Sequence, residues 1–316
     1  MPFAILHSEE EWAARFDQHH SATAVTVGNF DGVHLGHQQI LATIRELAHQ
    51  VRCKSAVLTF FPHPARVLRP AEAPPLLMTL EQRLAAIQAL GIDAAFVLPF
   101  DLQLAAVSAE DFVRRFLVER MHARAVLVGG NFRFGHRQSG DVKLLEELGQ
   151  RWGFTVKTLP PVVKDGIVVS STAIRAALRE GRVEDARNLL GRPYALAGEI
   201  RTGTGQGRKL IVPTLNLATE QEMLPKNGVY ATEVTLGEKT YRAATNVGMR
   251  PTFDGARITI ESHLFDFSEN LTSGKMEVHF WSRLRDEQKF PGPDALRAQV
   301  LKDIDEARRY FAATRA

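Results

Sequence analysis

What this 316-residue chain lacks narrows its chemistry before any motif is read. It has one cysteine, Cys53, which excludes an intrachain disulfide, a cysteine-built zinc site and CxxC redox chemistry together. No stretch approaches the roughly 18 consecutive apolar residues that a membrane helix needs. The opening "MPFAILHSEEEWAARFDQHH" carries acids where a secretory leader needs an apolar segment, so a cytoplasmic protein without a membrane partner is expected. Long runs of like charge are missing too. The formal net charge of +3 is too small for a dedicated nucleic-acid binder, though it suits anionic small substrates. Internal repeats and low-complexity tracts are absent, as are the phosphate-loop patterns GxGxxG and GxxxxGK[ST] and the zinc-protease pattern HExxH.

What is present is a change of texture. Hydrophobic residues make up 45% of the chain, enough for two domains with real cores. Up to about residue 190, short apolar runs ("AVTVGNF", "SAVLTFF", "AAFVLPF", "ARAVLVGG", "FTVKTLP") alternate with helical-period segments such as "QQILATIRELAHQ" and "TLEQRLAAIQALG". Continuously apolar strands joined by helices predict a doubly wound parallel α/β sheet. Two more helices, "STAIRAALREG" and "VEDARNLLG", follow, and "GRPY" at 191–194 supplies a glycine stop and a proline. Beyond it come short strand-like segments ("YALAGEI", "TLNLAT", "GVYATEVTL", "RAATNVG", "ITIESHLFDF", "MEVHFWSRL"), which predict a small antiparallel barrel, and then one C-terminal helix. The domains expected are 1–190 and 193–316.

Two stretches of the first domain carry chemistry. In "GNFDGVHLGH", residues 28–37, a strand runs through a glycine-containing turn into an amphipathic helix that begins near His34–Gly36. A helix start at the carboxyl end of a parallel strand favours an anion. If the helix includes both histidines, His34 and His37 share the face of its first turn and converge on one phosphate, while Gly36 lets a planar base approach the backbone. Taken alone, an HxxH pair more often belongs to a plain core or surface helix; as a zinc site it lacks a third ligand. In "IVVSSTAIRAAL" the hydroxyls of Ser170, Ser171 and Thr172 precede a helix whose first turn carries Arg175, so hydroxyls, amides and a guanidinium can face one anion. A plain helix cap beside a surface arginine explains that segment as well.

Taken together, "GNFDGVHLGH" and "SSTAIR" resemble the HxGH and SSTxxR signatures of the nucleotidyltransferase superfamily. "TFFPHP" and "VGGNFRFGHRQSGD" are similar to one branch, the FAD synthetase module of prokaryotic bifunctional riboflavin kinase/FAD synthetases. The resemblance implies transfer of AMP from ATP to FMN with release of pyrophosphate. His34 and His37 are then implied to stabilise charge on the ATP phosphates, and Arg175 to act on the departing pyrophosphate. Gly28, Asn29 and Asp31 are implied to shape the nucleotide turn, and His63, Asn131 and Asp141 to lie on the flavin side.

The second domain has its own dense stretch, "GTGQGRKLIVPTLNLA", residues 203–218. Gly207, Arg208 and Lys209 end a glycine-rich flap suited to covering a polyphosphate, or form a plain hairpin. In "VPTLN" the strand period places Thr214 and Asn216 on one side, where their oxygens suit a hard cation such as magnesium. "RITIESHLFDF" alternates so that Thr259, Glu261, His263, Phe265 and Phe267 share a face. "PTLN", "NVGMRPTF" and "ESHLFDF" resemble the PTxN, NxGxxPTF and catalytic-glutamate segments of the riboflavin kinase module. That match implies phosphorylation of riboflavin to FMN by ATP, with Glu261 as base and Mg2+ on Thr214 and Asn216. Ile211 stands where the family usually has glycine, and "LTSG" at 271–274 replaces LYG. The alternatives are an adenylyltransferase for pantetheine phosphate or a nicotinate nucleotide, a class I aminoacyl-tRNA synthetase, and an RNA-binding barrel. The first is disfavoured by the barrel with PTxN, the second by the absence of a KMSKS-like loop, and the third by strands without basic and aromatic interleaving.

Overall fold

A computed structural model describes residues 3–16, 22–201, 212–252, 255–269 and 271–314. The chain divides into two compact units, Met1–Val169 and Ser170–Ala316. In the first, β1 (Ala4–Leu6), α1 (Glu9–Phe16), β2 (Thr23–Val27), α2 (Leu35–Gln50), β3 (Lys54–Phe61), α3 (Pro64–Leu68), α4 (Leu80–Ala89) and β4 (Ala94–Pro99) follow in order. After them come α5 (Leu102–Ala105), α6 (Ala109–Phe112), a π-helical continuation over Val113–Arg120, β5 (Ala123–Gly129), α7 (Val142–Trp152), β6 (Thr155–Leu159) and a small hairpin of β7 (Val163–Lys164) and β8 (Ile167–Val168).

The strands form one six-stranded sheet in the order β1-β4-β3-β2-β5-β6, and every pair is parallel. Successive strand residues feed opposite faces, which is why the apolar runs are continuous. Val25, Val27, Leu58, Phe96 and Val126 pack with Trp12, Phe116 and Leu145 on one face. Ala24, Val57, Ala125 and Leu127 pack with Leu41, Ile44 and Ile87, from α2 and α4, on the other. The chain winds outward from β2 through β3 and β4, then crosses to β5, so the order reverses beside β2. A ligand site is expected outside the carboxyl end of the strands at that reversal.

The second unit holds α8 (Ser171–Glu180), α9 (Val183–Leu190), β9 (Tyr194–Arg201), β10 (Leu215–Ala218), β11 (Gly228–Leu236), β12 (Lys239–Thr252), β13 (Gly255–Leu264), β14 (Lys275–Asp286) and α10 (Pro293–Ala313). Its six strands close an antiparallel barrel in the order β10-β13-β12-β11-β14-β9, with β9 pairing back to β10. Leu196, Leu215, Tyr230, Val247, Ile260 and Phe280 are buried inside it. Through the interior runs a chain of hydroxyls: Thr232 to Thr245 at 2.6 Å and Thr245 to Ser262 at 2.8 Å. Helix α10 covers part of the outer wall, packing Ile304, Ala307 and Phe311 on Ala231, Ala244 and Phe265. The Arg285 guanidinium grips Asp303 of that helix with bonds of 2.8 and 2.7 Å.

Gly191 ends α9 in the left-handed region at φ 74°, as the sequence break requires. The unit boundary nevertheless falls ahead of that break, because α9 packs on the barrel: the Glu184 carboxylate accepts from Ser282 Oγ at 2.6 Å and from Arg283 N at 2.9 Å. Helical period reveals that α8 and α9 exist, and is blind to what they pack against.

Candidate active sites

The turn after β2 is held in an unusual path. Phe30 and Val33 have φ of 51° and 40°, and Gly32 has φ 88°. Left-handed backbone at a β-branched residue costs about 1–3 kcal/mol and persists only where neighbours enforce it. The enforcement is visible. Buried Asp31 accepts from Leu77 N at 3.0 and 3.1 Å and from Met78 N at 3.2 Å. Gln38 Nε2 donates to Val33 O at 2.8 Å. Bonds to a charged acceptor contribute about 1.5–3 kcal/mol each, enough to offset the strain. These bonds tie Asp31, and with it the turn, to residues 77 and 78.

The turn delivers the two histidines to the start of α2. His34 is the N-cap rather than part of the helix, and its Nδ1 accepts from His37 N at 3.3 Å. The two rings stack at 3.6 Å between centroids with planes 14° apart. Because Nδ1 of His34 is an acceptor, its neutral ring carries the proton on Nε2. His37 is half-buried as a residue, yet its Nδ1 lies out of solvent with no hydrogen-bond partner. Burial of the ring holds its pKa well below the usual histidine range, and the neighbouring His34 and Arg83 push the same way. No acid stands in the first turn of α2, so its dipole favours an anion there, with the His37 amide already engaged by His34. A Cβ at Gly36 would come within 3.2 Å of His34 Cε1, so the first demand on that glycine is room for the imidazole. Gly28 lies in the same turn.

His63, Asn131 and Asp141 lie on three other segments. His63 caps α3, its Nδ1 accepting from Ala65 N at 3.1 Å. Asp141 caps α7 by accepting from Leu144 N at 3.0 Å and pairs with Arg133 at 3.5 Å. Exposed Asn131 follows β5. Ser170 caps α8 by accepting from Ala173 N at 3.2 Å; Ser171 is half-buried, Thr172 exposed, and Arg175 buried.

In the barrel, register assembles the groups. Asn216 of β10 stands opposite Glu261 of β13, and Glu261 stands opposite Asn246 of β12. These three half-buried residues face away from the interior, since their neighbours Leu215, Leu217, Ile260, Ser262, Thr245 and Val247 are buried. Thr214 immediately precedes β10, and the flanking Pro213 carbonyl meets His263 Nδ1 at 2.9 Å, tying that segment to β13. The expected face is shorter than the sequence alternation implies. Strand β13 stops at Leu264, Leu264 and Phe265 are both buried, and Phe267 packs on Tyr241 at 5.1 Å. Phe265 keeps the outer side, packed under α10 with Ala231 and Ala244 and with its ring 6.0 Å from that of His263; Phe267 leaves the row of Thr259, Glu261 and His263. Gly207, Arg208, Lys209 and Ile211 lie outside the described residues. In the "LTSG" segment the Gly274 carbonyl accepts from Ile200 N at 2.8 Å.

Among the described residues no group of three His, Cys, Asp or Glu could hold a metal ion. A cation here would depend on hydroxyl, amide and substrate oxygens, the hard-donor set that Thr214 and Asn216 provide. Sequence reasoning missed two residues. Asn246 lies within "NVGMRPTF", and only register shows it beside Glu261. Arg83, buried on α4, donates to the Asn29 carbonyl at 2.6 Å; its one sequence signal is an arginine on the apolar stripe of Leu80 and Ile87.

A family model described as FAD synthetase matches residues 16–173, and one described as riboflavin kinase matches 190–311. The chain is 36% identical over 289 residues to a bifunctional riboflavin kinase/FMN adenylyltransferase of Haemophilus influenzae, covering 91% of this chain and 94% of that one. It is 37% identical to a protein of the same name from Pseudomonas fluorescens, with 93% and 94% covered. A crystal structure named a macrolide-efflux protein, from Streptococcus pneumoniae, superposes with a TM-score of 0.86 at 27% identity over 98% of this chain and 99% of that one. Among the described residues no helix is long and apolar enough to cross a membrane. With both family models matched in order and relatives above 30% identity along nearly the full length, the chain belongs to the bifunctional riboflavin kinase/FMN adenylyltransferase family.

Proposed function

We propose that the protein makes both flavin cofactors, phosphorylating riboflavin to FMN with ATP and adenylylating FMN to FAD with release of pyrophosphate. One observation carries the reading: the two family matches do not overlap, and each contains its own constellation, the stacked histidines in one and the Asn216–Glu261–Asn246 row in the other. We assign adenylylation to residues 1–190 and phosphorylation to residues 193–316.

In the adenylyl step a phosphate oxygen of FMN attacks the α-phosphorus of ATP and pyrophosphate leaves. We assign the Nε2–H of His34 and the N-terminus of α2 to the charge that gathers on the phosphates. A neutral His37 serves here as a hydrogen-bonding group rather than a fixed cation. Ser170, Ser171, Thr172 and Arg175 are assigned to the pyrophosphate by the signature they match, and His63, Asn131 and Asp141 to the flavin. In the kinase step Glu261 takes the proton from a ribityl hydroxyl as its oxygen attacks the γ-phosphorus, and ADP leaves. Thr214 and Asn216 would hold Mg2+, which when bound neutralises phosphate charge. Gly207, Arg208 and Lys209 are assigned to the ATP phosphates. Substrates are small molecules, and a cytoplasmic setting with ATP at hand goes with this chemistry.

The test is to incubate the pure protein with riboflavin and Mg-ATP and resolve the flavins over time. FMN should rise and then pass into FAD, with one pyrophosphate per FAD. Formation of neither flavin overturns the reading, and FMN without FAD overturns its adenylyl half.

A further inference from the structure

Arg83 takes no part in the chemistry described so far, yet packing alone accounts poorly for it. Only 5% of the residue is exposed, and burying a cation is unfavourable by several kcal/mol unless it is well bonded. Its bonds go to main chain: Nη1 donates to Asn29 O at 2.6 Å and Nη2 to Phe60 O at 3.1 Å. Thr59 Oγ1 reaches the same Asn29 carbonyl at 3.4 Å. One carbonyl lies just past β2 and the other at the end of β3, so the planar fork spans the carboxyl ends of two neighbouring strands.

We propose that Arg83 is a positioning residue for adenylyl transfer, clamping Asn29 to Phe60 and so setting the path of the turn that presents His34 and His37. This rests on the adenylyl site being at that turn. The clamp has a second jaw. Asp31 is bound by the amides of Leu77 and Met78, and that segment enters α4 through a capping box of Thr79 and Gln82, whose bonds are 3.2 and 2.9 Å. Residues 77–83 thus grip the turn on both sides of Phe30, whose φ is 51°. Asp31 supplies countercharge to the buried guanidinium, opposing the downward pull of burial on its pKa. A turn with this much strain relaxes when a jaw opens, and a displacement of about 1 Å at a reacting centre costs about a hundredfold in rate. Lysine keeps the charge and cannot span both carbonyls as a fork.

The experiment is steady-state kinetics of both reactions on full-length Arg83→Lys and Arg83→Met, with His37→Ala as reference and thermal melts alongside. Adenylylation kcat should fall about tenfold in the lysine variant and about a hundredfold in the methionine variant. KM for FMN and ATP should stay within about threefold, and riboflavin phosphorylation within about twofold. Folded variants with wild-type adenylylation kcat overturn the clamp. If the methionine variant fails to fold, the lysine variant decides: a reduced kcat at unchanged Tm supports the clamp, and a wild-type kcat at lowered Tm overturns it. An impaired His37→Ala beside unimpaired Arg83 variants removes the clamp alone, whereas an intact His37→Ala removes the site assignment as well.

Discussion

The sheet unit and the barrel build their candidate sites by opposite means. In the sheet unit the groups sit on a turn, and distant chain holds them: Asp31 is bound by residues 77 and 78, and Asn29 by Arg83. In the barrel the groups sit on regular strands, and pairing alone aligns Asn216, Glu261 and Asn246. The first arrangement places chemistry in strained, buried backbone, so stability and activity are entangled. The second places it on an outer face whose fold is secured on the inner one, so a side chain there can change with little effect on folding.

The largest expected effect breaks the comparison into two separate activities. His37→Ala should lower FMN adenylylation by about two to three orders of magnitude, the scale of losing a contact to transition-state charge. Glu261→Gln should lower riboflavin phosphorylation by about a hundredfold or more while riboflavin still binds. Each should leave the other reaction near wild type, and the barrel variant should melt as the wild type does. Parallel kinetics and calorimetry check this; loss of both activities in either folded variant would contradict two separate sites.

A smaller effect concerns where the barrel unit begins. A fragment of residues 193–316 keeps every strand of the barrel but lacks α9, and with it the Glu184 bonds to Ser282 and Arg283. Two bonds to a charged acceptor correspond to about 3 kcal/mol. A fragment of 170–316 should therefore be the more stable of the two by about that amount in urea titration, with both phosphorylating riboflavin. Equal stabilities would show that α9 adds nothing to the barrel.

The smallest effect is on pH. His37 has a folded pKa below its unfolded value of about 6.5, so below that pH the unfolded chain takes up a proton that the native state refuses. The neutral ring's contribution is complete above about 6.5 and is lost as pH falls towards the folded pKa, at up to about 1.4 kcal/mol per pH unit. Melts of wild type and His37→Phe between neutral and mildly acidic pH should diverge, with the wild type losing more. Barrel variants at Asn216 should show no such divergence.

Most of the fold was legible because its signals are local. The five apolar runs read as parallel strands are β2 to β6, and the glycine stop at 191 ends α9 as expected. Three-residue β1 and the two-residue strands β7 and β8 carry no signal in the sequence, being too short for periodicity to register. The HxGH histidines were legible as a pair at a helix start, whereas the cap role of His34 and the crowding of its ring against Gly36 depend on side-chain geometry. Arg83 escaped for a deeper reason. Its partners are carbonyl oxygens, which every residue carries, so no pattern of residue types announces them. Phe267 falls off the face that alternation predicts because the pattern continues in the sequence after the chain has turned at Asp266, whose φ is 57°.

The hydroxyl thread inside the barrel, Thr232 to Thr245 to Ser262, also bears on how the chain avoids assembling wrongly. Sliding β13 by one residue would swing Ser262 to the outer wall and drive the Glu261 carboxylate inside, leaving the Thr245 hydroxyl to face an unpaired charge. Such an isomer would be penalised twice, by a lost donor and by an intruding anion. The thread thus works as a proofreader of assembly: a misaligned barrel finds no resting state, and the carboxylate that defines the outer face is itself part of the check.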